Sequence, residues 1–232
     1  MPTINCDNLQ EFLGKPTIQF AENNLAGCIA QPANTYSNLA FIIVGIWCWV
    51  LLSKTKFKDL YLFPISFILI GLTSGFYHAS ATFFGQFLDF FSIYILGSVL
   101  IYFAAKNLVY NKTILGIWLC VFTIILGFIL WFAPIFRIPI AFAELFALIY
   151  LERKNLGKAT DAKPFKIALL IFILSFAIWN LDLYSVWDIE SLNHIINGHA
   201  IWHILNSFSL YFVFRYYLER ETKLTKNQKF PS

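Results

Sequence analysis

Charge is what this chain has least of: 13% of its residues are Asp, Glu, Lys or Arg, about half the ~25% of an ordinary soluble protein. A soluble fold of 232 residues needs a polar shell that this composition cannot supply. A soluble enzyme, a disordered chain and a nucleic-acid-binding module are thereby excluded, and the net charge of +4 is not a nucleic-acid signal. Also missing is a basic region followed by a short apolar run at the start, where the sequence reads Met1-Pro2-Thr3-Ile4-Asn5-Cys6. A cleaved signal peptide is therefore not expected, and the first span directs insertion. Internal repeats and low-complexity stretches are absent, and cysteine is limited to four residues.

What is present is apolar: 59% hydrophobic residues, among them 26 Phe. A transmembrane helix needs ~20 mainly apolar residues. Seven stretches qualify, at 35–53, 60–78, 86–105, 113–132, 136–152, 166–183 and 198–215. Of the 17 Lys and Arg, only Lys15 and Arg137 fall on one side. The others follow span 1 (Lys54, Lys56, Lys58), follow span 3 (Lys106, Lys112), separate spans 5 and 6, or form the C-terminal tail. The rich side is cytoplasmic by the positive-inside rule. The expectation is an all-α membrane protein, a seven-transmembrane helix bundle with the N-terminus outside and the C-terminus cytoplasmic. It forms one domain over 1–232, with 1–34 as an outer segment and 216–232 as a cytoplasmic basic tail. The outer side is acidic, with Asp7, Glu11, Glu22, Asp182, Asp188 and Glu190, and two acids, Asp89 and Glu144, stay within spans. An intramembrane carboxylate is costly and marks a functional site by default.

His199 and His203 stand at i and i+4 and leave one helical face. Packed or water-bonded histidines share that spacing, but two imidazoles so placed can also take one metal ion. His78 ends span 2, which runs outward, and span 7 starts outside, so all three imidazoles reach one membrane level. Three His supply an open catalytic zinc site with water in the fourth position. A closed structural site would want a fourth protein ligand, and none of Cys6, Cys28, Cys48 or Cys120 sits at ligand spacing beside a His. His194 reads as a solvated loop residue. Ser74, one turn before His78, either bonds back to the carbonyl of residue 70 or donates to a metal-bound water or an oxyanion. Asp89 is either an acceptor fixing a His tautomer or the general base that moves a proton from water to the leaving group. Glu144 has no comparable surroundings, Arg137 is too far along the helix to pair with it, and its role is open.

Ser74-x-x-x-His78, Asp89 and His199-x-x-x-His203, in this order on spans 2, 3 and 7, resemble the alkaline ceramidase family, which shares a superfamily with adiponectin-type receptors. Gly71-Leu72-Thr73-Ser74-Gly75-Phe76-Tyr77-His78 followed by Gln86-x-x-Asp89 is similar to its Gly-x-x-Ser-x-x-Phe-His and Gln-x-x-Asp pattern. Pro32-x-Asn34-x-x-Ser37-Asn38-Leu39 resembles its approach to span 1, and Gly198-His199-Ala200-Ile201-Trp202-His203 its last motif. The resemblance implies a zinc-dependent intramembrane hydrolase that cleaves the N-acyl bond of ceramide to a sphingoid base and a fatty acid. His78, His199 and His203 would hold the zinc, with Asp89 and Ser74 catalytic. It also implies calcium near the N-terminus, for which Glu22 and Asn24 match, whereas Gln31 and Gln19 stand where acidic ligands are expected. The family's second lumenal Cys is missing, which leaves Cys6 and Cys28 to pair. The partner implied is a membrane lipid, with no nucleic acid and no protein partner. An adiponectin-receptor-like sensor is the alternative from another class, disfavoured by the charge asymmetry, and a hydrolase of another N-acyl lipid is a third reading. The composition leans towards a bacterial member in the cytoplasmic membrane; a eukaryotic one would sit in the ER or Golgi membrane.

Overall fold

The computed structural model describes residues 9–155, 161–184, 186 and 192–229. Asp7, Lys158, Asp188 and Glu190, whose charges bear on the expected orientation, lie outside the described residues. A short helix α1 (Leu9–Leu13) and an extended segment lead to α2 (Pro32–Ser37), followed by α3 (Leu39–Ser53), α4 (Leu62–Ser80) and α5 (Phe83–Ala105). Then come α6 (Lys112–Phe132), α7 (Arg137–Asn155), α8 (Lys163–Leu183) and α9 (Gly198–Lys229). No strand occurs among the described residues. Lipid offers no water to unpaired backbone groups, so helices are the form such segments take.

Six helical stretches among the described residues are long and apolar enough to cross a membrane: Pro32–Ser53, Lys58–Ser80, Phe83–Ala105, Lys112–Phe132, Pro134–Asn155 and Lys163–Leu183. The protein is therefore a multi-pass membrane protein. The seventh expected span, 198–215, forms the first half of α9 and is not among the six by composition. The reason is visible in its packing: His199, His203, Asn206, Ser207 and Ser209 are all buried against the bundle. The segment expected as a basic tail continues α9 without a break, and Tyr216, Tyr217 and Arg220 are buried there.

Helices in lipid have no hydrophobic drive to associate and depend on close packing. Glycine supplies it between α3 and α4, where a Cβ on Gly45 would stand 2.6 Å from Ile68 and one on Gly71 2.7 Å from Ile42. Each helix thus lays an isoleucine into the other's gap. Outward-facing residues of α6, among them Ile117, Trp118, Ile124 and Phe128, are exposed and form the lipid-facing belt. α7 packs on α5 and α8 on α9, and between these pairs lies an apolar cavity of about 250 Å³.

The connection from α4 to α5 positions the site. Ala81 takes a left-handed conformation (φ 47°) to end α4, and the Thr82 side chain caps α5 by accepting from Gly85 N at 3.1 Å. This two-residue turn lays α5 antiparallel beside α4. His78, near the end of one helix, and Asp89, near the start of the next, consequently stay at one level.

Candidate metal centre and active site

His78 comes from the end of α4, and His199 and His203 from the first two turns of α9. All three are buried, and their ligand atoms lie within 4.8 Å of one another. His78 Nε2 and His199 Nε2 are 3.1 Å apart. Two nitrogens bound at about 2.05 Å to one tetrahedral zinc would stand about 3.3 Å apart, so the pair is at ligand separation.

The outer partners fix which nitrogen is free. His78 Nδ1 faces Gln31 Oε1 at 2.7 Å, and a carbonyl oxygen can only accept, so the proton is on Nδ1. His203 Nδ1 lies 2.8 Å from Ser37 Oγ, whose own hydrogen goes to Asn34 O, so this imidazole also donates through Nδ1. Both rings therefore turn a bare Nε2 inward, the form a metal requires. His199 is held differently. Its backbone N–H donates to Asp182 Oδ1 at 3.1 Å, and its ring stacks on Phe20 at 3.8 Å between centroids. Gly198 makes that approach feasible, since a Cβ there would lie 2.8 Å from Asp182 Cβ.

Ser74 and Asp89 both line the cavity beside His199 and His203. Ser74 hydrogen-bonds through its side chain to Asp89, rather than to the carbonyl one turn back. Asp89 is 9% exposed and sits at the polar end of an otherwise apolar chamber. Such a carboxylate can accept a proton from water and return it to a leaving group. Glu144 lines the same cavity with Oε1 unpartnered, and Arg137 bonds to Thr17 and Pro134 instead of to Glu144.

The segment that precedes α2 is strapped over this centre. Thr17 exchanges two hydrogen bonds with the Gln86 carboxamide, at 2.7 and 2.8 Å, and Ala21 N donates to Asp182 Oδ2. Glu22, 1% exposed, accepts from the backbone N–H groups of Ala33 and Asn34 at the start of α2, and from Asn197 Nδ2. His194, expected to be solvated, is instead half-buried with Nδ1 3.2 Å from Glu22 Oε1.

Calcium does not fit here. Gln31 Nε2 donates to Glu22 O and to Asn24 Oδ1 at 2.9 Å, so N–H groups occupy the oxygens that a cation would need. Calcium takes six to eight oxygen ligands, and the Gln31 amide nitrogen is not one. Cys28 is disulfide-bonded, Cys48 and Cys120 are free, and Cys6 lies outside the described residues.

A family model for ceramidases matches residues 15–231, nearly the whole chain. The chain belongs to the ceramidase family. It is accordingly a hydrolase of amide bonds. The chain is also 25% identical to alkaline ceramidase 1 of Mus musculus over 209 residues, covering 83% of this chain and 75% of the mouse protein. The matched region takes in the three histidines, Ser74, Asp89 and the α2 segment. The sequence marks the α2 segment by its resemblance alone and does not reveal its work, which is to hold the His203 ring and receive Glu22. Gln86 likewise stands out by resemblance, without its clasp on Thr17 being revealed, and Phe20 carries no sequence signal; only proximity in space shows what these two do.

Proposed function

We propose that the protein is a zinc-dependent intramembrane hydrolase that cleaves the N-acyl bond of ceramide-like lipids, releasing a sphingoid base and a fatty acid. One observation carries the reading: three imidazoles with inward-facing Nε2 atoms, together with Asp89 and Ser74, close the polar end of an apolar cavity inside a membrane bundle. Amide chemistry and a chamber for hydrocarbon meet at one point.

His78, His199 and His203 hold the metal. Zinc supplies a Lewis acid for the amide carbonyl and makes water acidic enough to attack at neutral pH. Asp89 receives the proton of the attacking water and passes it to the departing amine. Ser74 donates to the ionised Asp89 and orients it; once Asp89 has taken the proton, the Ser74 hydrogen is released to the oxyanion that develops on the substrate carbonyl. Phe20 and the strap above it exclude bulk water, which strengthens each of these interactions. The acyl chain lies among Phe90, Ile93, Leu145 and Phe172.

The bundle has seven spans, α9 providing the seventh, with the N-terminus outside, the tail of α9 cytoplasmic, and 1–232 one domain. The centre then faces the outer leaflet, and Cys28 pairs with Cys6 on the oxidising side. The membrane is the bacterial cytoplasmic membrane in a bacterial host and that of the ER or Golgi in a eukaryotic one. The reading is tested by incubating purified protein with ceramides, N-acyl amino-acid lipids and phosphoglycerides and measuring released fatty acid. Release from ceramide, lost on zinc chelation and restored by zinc, is expected. Release from other amides alone would replace ceramide with that substrate.

A further inference from the structure

Beyond the metal centre the cavity wall carries further polar groups, Asn206 and Ser209 on α9 and Glu144 on α7. Glu144 projects from α7 into the space between α5 and α7, is 6% exposed, and leaves Oε1 without a hydrogen-bond partner. A buried polar atom without a partner is rare and needs a reason. In lipid it costs more still, since no water can stand in. The fold nonetheless makes room for this carboxyl: a Cβ on Gly97 would collide with Glu144 Oε2. A glycine in the middle of a transmembrane helix thus forms a niche, and the carboxyl fills it while facing the chamber. Its neighbours along the wall, Leu96, Leu100, Ala141 and Leu145, offer it nothing polar. Arg137, the nearest cation on its own helix, is engaged with Thr17 and Pro134.

We propose that Glu144 is a specificity-determining group that recognises a hydroxyl borne on the hydrocarbon chain of the substrate. The proposal rests on the reading that the cavity takes the chain of an N-acyl lipid. A hydroxyl is both donor and acceptor, so it satisfies the orphaned oxygen whether the carboxyl carries a proton or not. An ammonium group would instead have to abandon water for an apolar wall, at far greater cost. The position of the hydroxyl follows from the helix. Gly97 is eight residues beyond Asp89 on α5, which is about 12 Å deeper at 1.5 Å per residue. An extended hydrocarbon chain advances about 1.3 Å per carbon, given its 1.5 Å bonds. Glu144 therefore meets the chain about nine or ten carbons from the scissile amide.

The experiment uses the full-length protein in detergent micelles. It compares kcat/KM for N-stearoylsphingosine with that for the same amide bearing a hydroxyl at acyl carbon 10 or at acyl carbon 2. Wild type is expected to favour the 10-hydroxy chain by about tenfold or more, because a site built to bond a hydroxyl rejects the analogue lacking it. The 2-hydroxy chain, whose hydroxyl stays at the metal centre, is expected to show no such gain. In Glu144→Leu the preference should fall to about one. Gly97→Ala, which drives the carboxyl from its niche without removing it, should lower the preference too. If Glu144→Leu does not yield folded protein by gel filtration, Glu144→Gln, matched in size, decides the matter through a smaller fall. Equal kcat/KM for the plain and 10-hydroxy amides in wild type, or a preference untouched by these substitutions, overturns the proposal. Failure of folded, zinc-loaded wild type to cleave any of the three amides is a different result. It removes the N-acyl lipid reading, and this proposal with it.

Discussion

The end of the bundle that holds the three histidines and the opposite end, where α9 runs on past residue 215, treat buried polarity in opposite ways. At that opposite end buried charges are paired with one another. Glu152, 3% exposed, receives Arg220 Nη1 at 3.0 and 3.2 Å, Tyr217 at 2.8 Å and the hydroxyl of Tyr216. Arg220 also donates to Phe103 O, and Lys106 pairs with Glu221 at 3.0 Å while lying over the Phe103 ring. At the other end the rings of His78 and His203 are held by neutral groups, and a carboxylate, Asp182, reaches His199 only at its backbone N–H. Gln31 accepts from His78 Nδ1 and Ser37 from His203 Nδ1, and the ligand atoms of the three rings gather within 4.8 Å of one another. Neutral supports leave the imidazole nitrogens free for a ligand, whereas at the opposite end Glu152 and Glu221 pair directly with cations. One end is a fastening, and the other presents ligand atoms.

The largest way to break that contrast is His199→Ala. It should drop bound zinc from one per chain, measured by metal analysis, and lower turnover about 10⁴-fold, the several kcal/mol a metal Lewis acid contributes. Undiminished zinc would refute the three-histidine assignment. Next comes Asp89→Asn, which should retain zinc and lose about 10²–10⁴ in turnover without recovery on added zinc. Recovery towards the wild-type rate would mean that Asp89 only props a ligand. At the opposite end, Glu152→Leu leaves Arg220 buried and unpaired and should cost about 3–5 kcal/mol of stability in chemical denaturation. Adding Arg220→Met should restore much of that loss, with turnover per folded molecule unchanged. The smallest effect expected is that of Gln31→Leu, which deprives His78 Nδ1–H of its acceptor and should weaken zinc about 10–100-fold in a competition titration. In wild type, a calcium-selective chelator that spares zinc should change neither thermal stability nor turnover.

The histidine triad is legible because its signal is local: i, i+4 spacing on one helix and the parity of spans place three rings at one level. The six apolar helices are legible from hydropathy for the same reason. Span 198–215 stands out by its length between polar flanks, although its inward face is too polar for composition alone to mark it as a crossing. The fastening around Glu152 is hidden. Arg220 reads as one of the solvated charges of a tail, and nothing in the sequence pairs residue 220 with residue 152. His194 reads as solvated for a like reason, because Glu22 reaches it across a separation of 172 residues. Gln31 reads as a lost acidic ligand. In space, its single carboxamide donates to Glu22 and Asn24 with one end and accepts from His78 with the other.

Asp182 Oδ1 and Oδ2 receive the backbone N–H groups of His199 and Ala21, tying the last helix to the first segment through the end of α8. This has a bearing on biosynthesis. Until residue 199 has emerged from the ribosome, the growing chain owns one of the three imidazoles, and Phe20 has no His199 ring to stack on. A truncated or arrested chain is thus a set of inert helices, unable to gather a metal that binds by ligand count and geometry. Competence against membrane lipids arises in one late step, when the final helix docks, which protects the host bilayer from half-made copies of the enzyme.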